Sequence, residues 1–101
     1  WKQARDYFFE AVEIDPTFFD ARYNLALMHQ TLKDNEAAKK AYKEALALKS
    51  EDPKCLNNLA SILIDEGDTD QARILLERCL SADPEFDFAK KNMERLNKAA
   101  R

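Results

Sequence analysis

Apolar residues recur along this chain at the spacing of a helix. Leu56, Leu59, Ala60 and Leu63 fall at i, i+3, i+4 and i+7, the stripe of a helix that buries one face. Asp65-Glu66-Gly67-Asp68 interrupts the pattern, supplying a glycine suited to end one helix and an acidic residue suited to start the next. A second stripe, Ala72, Leu75, Leu76, Cys79 and Leu80, stops at Asp83-Pro84, where proline cannot continue a helix. The pattern predicts a helical hairpin.

The hairpin is repeated. Asn24-Leu25-Ala26 returns as Asn58-Leu59-Ala60, an offset of 34 from residue 24 to residue 58. Ala38 and Ala72, Ala45 and Cys79, and Leu46 and Leu80 share that offset, and Asn92 lies one further period after Asn58. Across two periods Asp15-Pro16-Thr17-Phe18 comes back as Asp83-Pro84-Glu85-Phe86. A fixed period of this length marks a repeat array, in which each unit buries its apolar face against its neighbours.

These residues resemble the tetratricopeptide-repeat (TPR) family, and the resemblance covers the whole chain. Leu56, Leu59, Ala60, Leu63, Gly67, Ala72, Leu76, Cys79 and Pro84 match the signature in order. The earlier unit matches at Leu25, Ala26, Ala38, Tyr42 and Ala45 but carries Arg22, His29, Lys33 and Ser50 where the large apolar residue, the aromatic, the glycine and the proline belong. Those departures should loosen that unit without changing its fold. Ala4, Phe8, Ala11 and Pro16 resemble a lone B helix. The family implies an all-α fold, an α-α superhelix (TPR solenoid) of antiparallel helical hairpins. Residues 1–101 are expected to form a single array. It would comprise helix B of a truncated repeat (1–18), two TPRs (19–52 and 53–86) and a C-terminal capping helix (87–101) whose Lys90, Glu94 and Asn97 face solvent while Ala89, Met93, Leu96 and Ala100 cover the preceding hairpin.

In the family, the concave wall of the superhelix is lined by A-helix side chains that point away from the B helices. Carried over by position, the binding groove would include Tyr23, Asn24 and Leu27, then Lys54, Asn57, Asn58 and Ser61, then Phe88, Lys91, Asn92 and Arg95. Asn24, Asn58 and Asn92 recur at one repeat position and resemble the asparagine ladder of the O-GlcNAc transferase superhelix. A side-chain amide both donates and accepts, so a row of them can pair with the backbone of an extended peptide. The alternative is that asparagine is simply the common residue at this position of the repeat. TPR domains that grip acidic chaperone tails share a clamp of Lys and Asn, then Asn, then Lys and Arg. Here the corresponding residues are Tyr23 and Leu27, then Asn58, then Phe88 and Asn92, so chaperone C-terminal tails are disfavoured. Lys91 and Arg95, one turn apart, either hold a single carboxylate or form a solvated face.

Composition narrows the remaining classes. Of the 101 residues 46% are hydrophobic and 35% charged, with one Gly and three Pro, which argues against both a disordered tail and a strand-and-turn protein. A net charge of −3 lacks the basic surface that neutralises phosphates, so no nucleic-acid partner is expected. The apolar runs are too short for membrane insertion, and no signal peptide opens the chain. Two cysteines make neither a disulfide framework nor a zinc site, which fits a reducing, intracellular and cytoplasmic setting. Cys79 reads as a buried hydrophobe and Cys55 as partly exposed. His29, at an aromatic position, reads as a packing residue. No metal site, cofactor or catalytic constellation is predicted, so the chain is not expected to be an enzyme. The absence of an initial Met suggests a fragment of a longer protein.

The expected function is a protein–protein interaction scaffold that holds a protein or peptide partner in its groove. Two alternatives remain open: a substrate-recruiting arm of a larger enzyme such as a protein glycosyltransferase, or a structural segment that self-assembles. The second draws on Tyr7, Phe8 and Phe9, whose exposure on an orphan N-terminal helix would invite self-association.

Overall fold

Three of the helices begin where an aspartate can take up an orphan backbone N–H. In the computed structural model, which describes residues 19–99, five helices follow one another: α1 (Phe19–Thr31), α2 (Asn35–Leu48), α3 (Pro53–Asp65), α4 (Thr69–Ala82) and α5 (Asp87–Ala99). Asp34, Asp52 and Asp68 cap α2, α3 and α4, their carboxylates accepting from the backbone N–H of Ala37, Cys55 and Gln71. Pro53 opens α3, where a missing N–H costs nothing. The turn after α3 is made by Gly67 at φ +84, and the turn after α1 by Lys33 at φ +62. Left-handed backbone is free for glycine but strained for lysine.

The chain divides into two units, Trp1–Ser50 and Glu51–Arg101. In the first, α1 and α2 pack as a hairpin around Leu25, Ala26, Ala38, Ala41, Tyr42 and Ala45. Short alanines let the helices approach, and the Tyr42 ring fills the space between them. Its hydroxyl donates to Gln30 Oε1 at 2.6 Å. Arg22 reaches across the hairpin and donates from Nη1 to the Glu44 carbonyl at 3.2 Å. Of the polar departures in this unit, Arg22 thus becomes a cross-link between its two helices.

In the second unit α3 and α4 form the equivalent hairpin, and α5 packs against both. Leu56, Leu59, Ala60, Leu63, Ala72, Leu76 and Cys79 are all buried, as the signature requires. Ala89 and Leu96 of α5 are fully buried, while Lys90, Glu94 and Asn97 are exposed. Cys55 corrects the sequence reading: it is fully buried, because it packs inside the unit rather than at its edge. Cys79 is buried as well. Its thiol donates to the Pro53 carbonyl at 3.4 Å, and burial, with Asp83 and Asp52 adding negative charge, pushes it up to about 11. The expected N-terminal helix with Tyr7, Phe8 and Phe9 falls outside the described residues, as does Ala100.

Candidate functional site

The groove residues expected on α1 are held partly by their own hairpin. Tyr23 stacks on Phe19 with centroids 6.1 Å apart and meets Tyr42 at a tilt of 58°. The Lys49 ammonium sits 4.5 Å over the Phe19 ring. Tyr23 is therefore a packing residue as well as a surface one. Asn24 and Leu27 are half-buried beside it.

On the second unit the expected residues divide by exposure. Lys54 is exposed and Asn58 and Ser61 are half-buried on α3; Phe88, Lys91 and Arg95 are exposed on α5. Phe88 stands 65% exposed, steadied only at its edge by Phe86, whose ring lies 5.8 Å away in a T-shaped pair. An aromatic ring so open on a polar face is the largest uncovered apolar side chain among the described residues.

Asn57 and Asn92 behave differently. Both are buried, and Asn92 Nδ2 donates to Asn57 Oδ1 at 2.8 Å, tying α5 to α3. Asn92 Oδ1 in turn accepts from Arg95 Nη1 at 3.0 Å, and Arg95 Nη2 donates to Asp65 Oδ1 at 2.8 Å. A relay of polar contacts thus runs from the interior to the rim. Repeat position puts Asn57, Asn92 and Arg95 on one wall but does not pair them. The signal was present: Asp65 and Arg95 are 30 residues apart, one period less a helical turn, and carry opposite charges. Asn57 and Asn92, 35 apart, are one period plus one residue.

Chemically this face offers hydrogen-bond donors and acceptors, three cations and one exposed ring. Among the described residues no group of three or more His, Cys, Asp or Glu side chains could hold a metal ion. No helix among them is long and apolar enough to cross a membrane.

Known proteins resemble this chain in sequence and in fold. The family described as YpiA-like, C-terminal tetratricopeptide repeats matches residues 20–87. The human protein O-mannosyl-transferase TMTC3 is 36% identical over 67 residues, which cover 65% of this chain and 7% of that protein. The chain therefore spans a small fraction of that relative. Among solved structures, the first TPR of Spaghetti (RPAP3), bound to the HSP90 peptide SRMEEVD, has a TM-score of 0.90 at 20% identity, covering 95% of this chain and 76% of that one. The Yersinia enterocolitica type III secretion chaperone SycD, in complex with a peptide of the translocator YopD, has a TM-score of 0.87 at 16% identity, covering 98% and 79%. At such identities the two structures establish likeness of fold.

Proposed function

This chain belongs to the tetratricopeptide-repeat family, and from that premise we propose that it is a protein-interaction scaffold whose A-helix face receives an extended segment of a partner. The observation that carries this reading is the α3–α5 face, where Lys54, Asn58 and Ser61 lie on one helix and Phe88, Lys91 and Arg95 on the helix packed beside it. An extended peptide has unpaired amide groups along both edges, and neutral polar side chains satisfy them with little regard to sequence. Phe88 adds an apolar anchor, which neutral hydrogen bonds alone would lack. Tyr23, Asn24 and Leu27 join the proposal by repeat equivalence. Two structurally similar proteins were solved with peptides bound, which accords with the same use here. Acidic chaperone tails remain disfavoured, since Tyr23, Leu27, Phe88 and Asn92 depart from the clamp at four of its five positions.

The test begins with peptides selected from a random displayed library on the intact chain. Asn58→Ala should weaken a selected peptide by about 0.5–1.5 kcal/mol, and Phe88→Ala by about 1–2 kcal/mol, with the melting temperature unchanged in the second case. Lys40→Ala, on the exposed side of α2, serves as control. Equal weakening by the control would refute the groove.

A second reading follows from the relative named as an O-mannosyltransferase: the repeats would recruit substrate for a catalytic part elsewhere in a longer protein. Transferase activity of the intact protein that is lost toward protein substrates on Phe88→Ala, yet kept toward a short acceptor, would favour it.

A further inference from the structure

The polar relay between α3 and α5 has a direction. Asn92 and Asn57, both buried, form its fixed end through their 2.8 Å bond. Arg95 is held to that end by the 3.0 Å bond from Nη1 to Asn92 Oδ1. Because a guanidinium is planar, anchoring Nη1 sets the direction of Nη2 and leaves the fork turned toward a place where an oxyanion would sit. Asp65, the last residue of α3, supplies that oxyanion from within the chain.

Building on the α3–α5 face as a binding surface, we infer that Asp65 is an internal occupant of a carboxylate site at Arg95, so that the face turns away carboxylate-bearing segments while the pair is closed and accepts them when it opens. The pair is displaceable. Its side chains are 47% and 59% exposed, and an exposed pair of this kind favours the closed state only a few-fold. The anchor behind Arg95 is buried and is untouched by opening, so the guanidinium keeps its orientation for an incoming carboxylate. Lys91, exposed one turn before Arg95, adds a second positive charge on the approach side. The exchange leaves no charge buried and unpaired: Arg95 trades one carboxylate for another, and Asp65 returns to water. The incoming group can be a side-chain carboxylate or a chain terminus.

The test uses the intact 101-residue chain and the acidic heptapeptide SRMEEVD as probe. Asp65→Asn should bind it about two- to sixfold more tightly than wild type, the factor by which a surface pair holds itself closed, with a larger gain at low salt. Arg95→Gln in the Asp65→Asn background should erase the gain. Amidating the peptide C-terminus, or replacing its two glutamates by glutamine, tells which carboxylate is held. An uncharged library-selected peptide should bind Asp65→Asn and wild type alike. No gain on Asp65→Asn, or a gain that survives Arg95→Gln, would overturn the inference. If Asn58→Ala still weakens the uncharged peptide in that event, this inference alone falls; if it does not, the groove reading falls with it.

Discussion

The hairpin of α1 and α2 and the hairpin of α3 and α4 occupy equivalent repeat positions with different chemistry. Where the second buries Leu56, the first carries Arg22, half-buried and bonded to the Glu44 carbonyl. Where the second buries Leu76, the first buries Tyr42 and ties its hydroxyl to Gln30. The turn that Gly67 makes without strain is made by Lys33 in the left-handed region. One backbone plan is thus satisfied by an apolar core in one hairpin and a polar-stitched core in the other. Burial of aliphatic side chains is non-directional and tolerant, whereas a buried polar group contributes only when its partner is in place. The two units should therefore fail in different ways.

The largest expected effect is in the apolar unit. Leu76→Ala removes a fully buried side chain from between α3 and α4 and should cost about 2–5 kcal/mol in denaturant unfolding. A loss below 1 kcal/mol would mean that this core is looser than its burial implies. The turns provide the next contrast. A Cβ at Gly67 would meet nothing within 4 Å, so Gly67→Ala is penalised only by backbone conformation, by about 1–2 kcal/mol. Lys33→Gly should relieve the same strain and stabilise the first hairpin by somewhat less, since glycine also enlarges the unfolded ensemble. If both substitutions destabilise, the two turns are not equivalent.

Smaller still is Tyr42→Phe. It removes the 2.6 Å bond to Gln30 while keeping the ring, and should cost about 0.5–1.5 kcal/mol. The last effect vanishes at neutral pH. The folded state holds the Cys79 thiol up at about 11, whereas the unfolded chain leaves it near its ordinary value of 9.0. Above pH 9 the unfolded chain loses this proton first, so stability falls as pH rises toward 11. Cys79→Ala, the residue found at the equivalent Ala45, should remove that part of the alkaline slope in melts taken from pH 8 to 10.5. An unchanged slope would show that the thiol does not govern it.

What the chain's order of residues determined by itself is the repeat and its hairpins. The offset of 34, the apolar stripe through Leu56, Leu59, Ala60 and Leu63, the aspartates at 34 and 68 and the glycine at 67 are local or periodic signals, and helix periodicity, capping and turn chemistry act within a few residues. The buried set of the second unit follows from them. What only the tertiary structure decided is how polar residues on one wall are shared out. Asn57 and Asn92 look like open groove residues until α5 is seen packed on α3 with their amides joined, and Arg95 looks like a free cation until Asp65 is seen across from it. Cys55 reads as partly exposed and is buried. The physical reason is common to all three: a hydrogen bond or a contact between neighbouring helices depends on sub-ångström placement of two side chains about a period apart, whereas periodicity specifies only the face on which each one stands.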